Sequence, residues 1–378
     1  MMERMMRRIG LLTSGGDCAG LNAVIRAVVL RASALGWEVV GIKQGAQGLA
    51  VSPPQTVVLH PGMVDTVMMR LGGTVLGTTN RGNPFAWPMS GGGVCDRSRE
   101  IAENYLSLGC GALIGIGGDG SLGILARLAE LGGFRLIGVP KTIDNDLGMT
   151  ESSIGFDTAV SVATEALDRL QPTAASHNRI MVLEVMGRDA GHIALAAGIA
   201  GGADVILIPE IVYDISKVVS HIKALRERGR NFALVVVSEA VRSPAGQKMM
   251  NAHFGGQKRL GGIGHVIGEQ IAELCQADAR VTVLGHVQRG GQPSAQDRLL
   301  AAAFGVHAVN LIAEGKYNRM VAWSNRQVID VPLDEAIRHY QQVEKVGSLV
   351  LTARGLGICL GDNAPAEELT FSLERCCF

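Results

Sequence analysis

The feature that most restricts how this chain can fold is the repeated succession of a short apolar run and a glycine-rich or polar loop. Such runs start near residues 9, 112, 136, 180, 205, 233 and 281. Their length of about five to seven residues and their Val, Ile and Leu content are typical of buried parallel strands. Helix-like patterns lie between them, over 20–34, 121–131 and 157–171. Strands that alternate with helices predict the α/β class with doubly wound sheets.

The length of the chain predicts two domains of this kind. At 378 residues it exceeds the roughly 250–300 residues that one hydrophobic core usually serves. The 50 glycines, with 47% hydrophobic and only 4% aromatic residues, favour parallel sheets joined by tight strand-to-helix turns. We therefore expect two Rossmann-like, doubly wound domains. Because ligands bind at the carboxyl ends of such strands, we expect the active site in the cleft between the domains.

Charge and cysteine content exclude several classes of protein. Basic and acidic residues both number 35, so no basic surface predicts binding to nucleic acid or to an anionic membrane. The 7 cysteines include no CxxC pair, which argues against a disulfide framework or a zinc site and favours a reducing compartment. No apolar run approaches the ~18 residues of a membrane span. We expect a soluble, cytoplasmic protein.

Two acids follow the strand-like run that starts at residue 136. Asp144 and Asp146 lie in the segment KTIDND at 141–146. Acids so placed suit either proton abstraction from a hydroxyl or a metal-phosphate site, and phosphoryl transfer uses both. The alternative is a local turn in which the two carboxylates accept backbone N–H groups. Lys141 would neutralise these acids or contact a transferred phosphoryl group.

Two glycine loops indicate a phosphate-binding site. TSGGD at 13–17 and GGDGS at 117–121 each follow a strand-like run and precede a helical pattern, so backbone N–H groups and a helix N-terminus can face a phosphate. Asp119, on the second loop, would hold Mg²⁺ among those phosphates. Its alternative role is to cap the following helix, as Ser121 also could, and the two roles are compatible. Acids and glycine loops together predict a kinase.

Basic residues at loop positions favour an anionic ligand. For any single one of them a solvated surface position is the simpler explanation. As a set at loop positions they favour an anionic site, because arginine binds phosphate through two hydrogen bonds. The set is Arg179, Arg188, Arg280, His286 and Arg289.

Six of these segments occur in one order along residues 8 to 300: TSGGD, GGDGS, PKTIDND, MGR, SE and GHVQRGG. In this combination the chain resembles the 6-phosphofructokinase family. The resemblance implies a glycolytic kinase that phosphorylates the 1-hydroxyl of fructose 6-phosphate to give fructose 1,6-bisphosphate, with Mg-ATP as donor.

The resemblance also implies roles for individual residues. Asp144 would be the base toward the sugar hydroxyl, with Thr142 and Arg188 as further catalytic groups, and Asp119 would hold the Mg²⁺. The donor would be bound by Gly16, Asn80, Arg81, Gly118, Asp119, Gly120 and Ser121. The sugar phosphate would be bound by Thr142, Asp144, Asp146, Arg179, Met186, Gly187, Arg188, Glu239, Arg280, His286 and Arg289.

The identity of the donor depends on two positions. Gly120 resembles the ATP-using members, because the aspartate of pyrophosphate users would crowd and repel the nucleotide α-phosphate. Lys141 resembles the pyrophosphate users, so the pair is similar to the mixed-substrate subgroup. Asn80 and Arg81 depart from the arginine and aromatic residue that ATP enzymes place near the adenine. We favour ATP, since ATP requires the clash to be absent whereas an added lysine need not exclude it; pyrophosphate is the alternative.

The resemblance further implies a homotetramer, or a homodimer. Four side chains would bind the 6-phosphate, and two of them would reach across from a neighbouring subunit; the four are His286, Arg289, Arg179 and Arg280. We expect the donor domain to comprise 1–155 plus about 288–340, and the sugar-phosphate domain 156–287 plus about 341–378. A non-catalytic regulatory subunit is the rival from another class, and the joint presence of Asp119, Thr142, Asp144 and Arg188 argues against it. Lipid and NAD kinases share a GGDG loop but lack the TIDND and GHVQRGG pair.

Overall fold

The computed structural model describes residues 7–243, 246–252 and 258–363. By its internal contacts the chain divides into two compact units, each built from two stretches of sequence. The first unit comprises Met1–Thr158 and Arg289–Gln341, and the second comprises Ala159–Gln288 and Gln342–Phe378.

The strands in chain order are β1 (Arg8–Thr13), β2 (Glu38–Ile42), β3 (Thr56–Leu59), β4 (Trp87–Pro88), β5 (Val94–Cys95), β6 (Ala112–Gly117), β7 (Leu136–Pro140), β8 (Ile180–Val185), β9 (Val205–Leu207), β10 (Ala233–Ser238), β11 (Met250–Ala252), β12 (Lys258–Leu260), β13 (Ala279–Val283), β14 (Arg319–Ser324) and β15 (Gln327–Pro332).

The α-helices are α1 (Leu21–Ala34), α2 (Ala46–Leu49), α3 (Ser98–Ser107), α4 (Asp119–Gly132), α5 (Phe156–His177), α6 (His192–Ala200), α7 (Ile215–Glu227), α8 (Ile263–Cys275), α9 (Ala295–Ala313), α10 (Leu333–Arg338) and α11 (Ser348–Gly355). Short 3₁₀ helices span Pro61–Met63, Met68–Arg70 and Gly285–Arg289.

The sheet of the first unit has seven strands in the order β15-β14-β7-β6-β1-β2-β3. Its five inner strands are parallel, and only the pairs β2·β3 and β14·β15 at the two edges are antiparallel. In register, Thr13 lies beside Ile116, and Gly117 beside Pro140. The loops that follow β1, β6 and β7 therefore leave the same edge of the sheet next to one another.

The main sheet of the second unit has four parallel strands in the order β13-β8-β10-β9. Every residue of β8, β9 and β10 is buried, as expected for strands covered by helices on both faces. The carboxyl ends of β8, β10 and β13 lead into the MGR, SE and GHVQRGG segments. Three of the predicted sugar-phosphate segments thus share one edge of this sheet.

The predicted α/β class is confirmed, and each of the seven apolar runs forms a strand, namely β1, β6, β7, β8, β9, β10 and β13. The strands that the sequence did not indicate are the inner strands β2 and β14, the edge strands β3 and β15, and the two short hairpins β4·β5 and β11·β12. Edge strands and hairpins need less continuous burial, so they lack the long apolar run that marks an inner parallel strand. Among the residues described, no helix is long and apolar enough to span a bilayer.

Candidate active site

The first glycine loop follows β1 and packs against two other segments. The backbone N–H of Ser14 donates to the carbonyl of Ile116 at 2.9 Å, and that of Gly15 donates to the carbonyl of Thr79 at 3.1 Å. Gly15 has φ +84°, and a Cβ there would lie 2.6 Å from Ser121 Oγ. Glycine is therefore required at this position for both conformation and space.

The second glycine loop leads directly into α4. The N-cap residue is Gly118, and Asp119 lies in the first turn. The N-cap role considered for Asp119 and Ser121 is therefore wrong for this helix. A Cβ built on Gly120 meets no heavy atom of the described residues within 4 Å. This open space lies at a helix N-terminus, where unpaired backbone N–H groups attract phosphate.

Lys141 ties the two glycine loops together. Its backbone N–H donates to the carbonyl of Gly117 at 3.0 Å, and its ammonium group donates to the carbonyl of Gly16. The side chain is buried, and this burial lowers the pKa of Lys141 below its ordinary value. Lys141 thus fixes the first loop against the second from a buried position.

The acids of the KTIDND segment are buried and share one hydroxyl. Asp144 is 3% exposed and Asp146 is fully buried. Thr142 Oγ1 lies 3.0 Å from Asp146 Oδ1 and 3.5 Å from Asp144 Oδ2, and it accepts the backbone N–H of Asp144 at 3.1 Å. The local turn is thus made by the Thr142 hydroxyl. The two carboxylates stand together at the end of β7.

The loop that carries these acids is fixed by an asparagine that sequence reasoning passed over. Asn145 adopts φ +52°, a conformation that asparagine tolerates better than most residues. Its Oδ1 accepts the backbone N–H of Ser153 at 2.9 Å, and its Nδ2 donates to the carbonyl of Glu151 at 3.1 Å. The left-handed turn between the two aspartates therefore fixes where each carboxylate lies.

A second unforeseen residue, Asp297, holds the far end of the same loop. Its carboxylate accepts the backbone N–H groups of Gly155 at 2.9 Å and Thr158 at 2.8 Å. Burial raises the pKa of Asp297 above its ordinary value. Asp297 is separated from its partners by about 140 residues of sequence, so no local pattern could have indicated this contact.

The predicted donor residues Asn80 and Arg81 are exposed and lie near the first glycine loop. Thr79 Oγ1 accepts the backbone N–H of Arg81 at 3.0 Å, and the hydroxyl of Thr78 donates to the carbonyl of Gly15 at 2.7 Å. The segment 78–81 is thus hydrogen-bonded to the loop that follows β1.

Arg289 lies beside the first glycine loop as well. Its Nη1 donates to the carbonyl of Asp17 at 3.1 Å, and a Cβ on Gly16 would lie 2.9 Å from the same nitrogen. A guanidinium group therefore covers Gly16 in the first unit. Its assignment to the sugar phosphate stays a prediction.

In the second unit, three predicted residues line one cavity of about 280 Å³. They are Met186 after β8, Glu239 after β10 and His286 after β13. The backbone N–H of Met186 donates to Gln288 Oε1 at 2.7 Å, and that of Arg188 donates to Glu239 Oε1 at 3.2 Å. Gly187 has φ +152°, and a Cβ there would lie 2.5 Å from the carbonyl of Ala190, so the MGR turn requires its glycine.

Arg179 and Arg280 lie at the other end of the same sheet. Arg179 precedes β8, whereas Met186 follows it, so the whole strand of about 20 Å separates them. Arg280 pairs in register with Met181, near the start of β8. Both arginines form ion pairs with Asp278, at 2.7 Å and 2.6 Å. One copy of the second unit therefore does not bring all the predicted phosphate-binding residues together.

Besides Asn145 and Asp297, sequence reasoning missed Glu184, His265, Asp278 and Gln288. Glu184 is the one acidic residue in an otherwise apolar strand, and this is the local signal that could have indicated it. His265 carries no distinguishing pattern, whereas Gln288 lies inside the GHVQRGG segment but was assigned no role. Within the described residues, no group of three or more His, Cys, Asp or Glu side chains forms a ready-made metal site. That is compatible with Mg²⁺, which is usually held by one or two carboxylates plus substrate phosphates and water.

Comparison with known proteins identifies close relatives. A sequence model described as Phosphofructokinase matches residues 8–312. ATP-dependent 6-phosphofructokinase 1 of Synechocystis sp. is 62% identical over 95% of this chain and 99% of its own length. ATP-dependent 6-phosphofructokinase of Chloroflexus aurantiacus is 49% identical over 96% of this chain and 100% of its own.

Solved structures share the fold. Phosphofructokinase from Saccharomyces cerevisiae aligns with a TM-score of 0.76 and 29% identity, covering 88% of this chain but only 45% of the yeast chain. Pyrophosphate-dependent phosphofructokinase from Marinobacter aquaeolei aligns with a TM-score of 0.74 and 21% identity, covering 95% of this chain and 93% of its own.

Proposed function

Because the chain belongs to the phosphofructokinase family, we propose that it is an ATP-dependent 6-phosphofructokinase that phosphorylates fructose 6-phosphate at its 1-hydroxyl. The product is fructose 1,6-bisphosphate, and the reaction is a glycolytic step in the cytoplasm. The observation that carries the chemistry is the meeting of two glycine loops and two buried acids at three neighbouring strand ends of one sheet.

Asp144 acts as the base toward the 1-hydroxyl. A base must lie within hydrogen-bond reach of the proton it takes and be held in place. Asp144 is held by the contacts of its own loop to Thr142, and the Asn145 turn fixes the residue that follows. Arg188, at the end of β8, supplies positive charge to the transferred phosphoryl group, whose oxygens carry the charge of the transition state.

The donor phosphates bind over the two glycine loops. Gly16, Gly118, Gly120 and Ser121 lie around the N-terminus of α4, and Asn80 and Arg81 lie on the adjoining segment. Asp119, in the first turn of α4, would hold Mg²⁺, which when bound neutralises charge on the donor phosphates. Its carboxylate otherwise would only repel them.

The two donor-determining residues act differently. The space beside Gly120 is open, so an aspartate there would place its carboxylate where the donor phosphates approach. Lys141 contacts the carbonyl of Gly16 from a buried position. Its hydrogen bond orders the first loop whichever donor binds, so Lys141 need not exclude ATP.

The sugar phosphate binds to residues of two subunits. Met186, Gly187, Glu239 and His286 lie at the carboxyl edge of the second sheet, whereas Arg179 and Arg280 lie about one strand length away. That separation exceeds the length of a hexose monophosphate. All these residues can contact sugar phosphates if the protein is a homotetramer or homodimer in which Arg179 and Arg280 reach the ligand of a neighbouring subunit.

The experiment measures fructose 1,6-bisphosphate formation from fructose 6-phosphate and Mg²⁺, with ATP or pyrophosphate as the sole donor. We expect product with ATP. Product with pyrophosphate alone would support the pyrophosphate-dependent alternative, and binding of the sugar phosphate without product would support a regulatory subunit.

Gly120→Asp tests the donor assignment separately. We expect kcat/KM for ATP to fall by about 100-fold, as loss of favourable phosphate electrostatics can cost, with little change in Tm because the new Cβ meets open space. Gly91→Asp is the matched control, since its Cβ also meets no described atom within 4 Å. If the two variants had the same kcat/KM for ATP, the assignment of Gly120 to the donor site would be wrong.

A further inference from the structure

The cavity of the second unit has two side chains that can carry positive charge among the described residues that line it. They are His286, already assigned to the sugar phosphate, and His265, which no motif indicated. The cavity also contains two carboxylates, Glu184 and Glu239. A sugar phosphate that enters it therefore meets two histidines and two acids.

The carboxylate of Glu184 is hydrogen-bonded to backbone N–H groups of the protein. Its carboxylate accepts the backbone N–H of Gly262 at 2.9 and 3.1 Å and that of Gly264 at 2.7 Å. These are N–H groups at the start of α8, where a carboxylate is favourably placed. Glu184 is 2% exposed. It fixes the wall of the cavity, and the N-terminus of α8 partly offsets its negative charge.

Glu239 and His286 lie on opposite sides of β8. His286 follows β13 and Glu239 follows β10, and β8 separates these two strands in the sheet. At about 4.8 Å between neighbouring strands, the two residues are roughly 10 Å apart along the sheet edge. The cavity thus has an acidic side at β10 and a histidine side at β13.

His265 belongs to the histidine side. It is the third residue of α8, and α8 packs against β8 and β13. A phosphate avoids Glu239, whereas sugar hydroxyls donate to a carboxylate readily. The phosphate end of the substrate is therefore directed toward β13 and α8.

We propose that His265 is a second histidine contact to the phosphate group of the sugar phosphate, beside His286. This inference rests on the proposed function. His265 is exposed, in contrast to the buried Ile263 and Gly264 that precede it, so its side chain is available to a ligand and not part of the core. It determines affinity for the phosphorylated sugar and takes no part in proton transfer.

The test compares His265→Asn and His265→Ala with the wild type in the full-length enzyme. Because a hydrogen bond to a charged group is stronger than one between neutral groups, we expect KM for fructose 6-phosphate to rise by about 10-fold or more in both variants. We expect kcat at saturation and KM for ATP to change by less than about twofold, since His265 touches neither the donor nor the reacting oxygen. His60→Asn, an exposed histidine of the first unit, should leave all three constants unchanged.

Glucitol 6-phosphate distinguishes the phosphate from the sugar ring, because it keeps the phosphate and lacks the furanose. Its competitive inhibition against fructose 6-phosphate should weaken in His265→Asn by the same factor as KM rises. Unchanged inhibition, or an unchanged KM in the alanine variant, would overturn the assignment.

Isothermal titration of fructose 6-phosphate separates this inference from the proposed function. If the wild-type protein bound the sugar phosphate but made no product, the proposed kinase activity would be wrong. The dissociation constants of the same variants for fructose 6-phosphate would still test the role of His265. Normal kinase activity with unaltered binding in both variants would overturn the His265 assignment alone.

Discussion

The buried Asp144 and Lys141 of the first unit and the exposed Arg280 of the second unit lie in opposite environments. In the first unit Asp144 is 3% exposed and Lys141 is 4% exposed. The backbone N–H of Asp144 donates to Thr142 in its own loop, and the ammonium group of Lys141 donates to the carbonyl of Gly16 in the first glycine loop. In the second unit the Arg280 side chain is 58% exposed and pairs at the surface with Asp278, whose side chain is 41% exposed. Proton abstraction requires charges that are fixed before the reaction, whereas capture of an anionic substrate requires cations that water and ligand can reach. The contrast predicts that Asp144 governs turnover, whereas Arg280 governs affinity for the sugar phosphate.

Asp144→Asn is the substitution with the largest expected effect. Removing a general base costs on the order of 10²- to 10⁴-fold in turnover, and we expect kcat to fall by that amount while KM for fructose 6-phosphate changes little. Steady-state assays with saturating ATP measure both constants.

Asp168→Asn is the control, because Asp168 is an exposed aspartate on α5. It should retain full turnover. Near-normal kcat in Asp144→Asn would show that another group takes the proton and that burial of the acid pair has a structural purpose.

Asp297→Ala tests whether the first unit is preorganised by distant contacts. Two buried N–H groups, of Gly155 and Thr158, would lose their acceptor, and each such loss costs about 1–3 kcal/mol. We expect a loss of roughly 3 kcal/mol in unfolding free energy, measured by urea denaturation. Asp168→Ala should stay within about 0.5 kcal/mol of the wild type, and an equally small effect of Asp297→Ala would mean that water replaces the carboxylate.

Arg280→Ala addresses the second unit and has the smallest expected effect. The exposed ion pair with Asp278 contributes at most about 1 kcal/mol to folding, so Tm should hardly change. KM for fructose 6-phosphate should rise by about 10-fold through loss of a charge-assisted hydrogen bond, with kcat at saturation nearly unchanged.

Mixed oligomers then show which subunit supplies Arg280. Co-expressed Asp144→Asn and Arg280→Ala chains, separated by two affinity tags, should give hybrids with some intact sites if the arginine reaches across to a neighbour. At low fructose 6-phosphate their activity should exceed the sum of the two parent variants. Purely additive activity would place Arg280 in the site of its own subunit.

Local pattern was enough to predict the inner strands and the loops that follow them. Inner parallel strands such as β6 and β7 must be apolar along their whole length, and a turn such as that at Gly15 admits only glycine. Both requirements act within a few residues, so they can be identified in the sequence. The edge strands β3 and β15 escaped because one side of an edge needs no continuous burial.

The contacts that position the site were not predictable in the same way. Asp297 reaches the start of α5, and Gln288 Oε1 accepts the N–H of Met186 across a separation of 102 residues. Asn145 was adjacent to the predicted acids, yet its left-handed turn depends on Ser153 and Glu151. Such partners are brought together by the packing of whole elements, which no local window contains.

Residue types at short spacing were enough to predict the class of fold, the two glycine loops, the acid pair and the kinase family. Four relations emerged only once the elements were packed: Lys141 bonds to Gly16, Arg289 covers the first glycine loop, His265 joins His286 at one cavity, and Arg179 and Arg280 lie a strand length from that cavity. These relations follow from which strands are neighbours and which of their ends face the ligand, and both are settled when the elements pack.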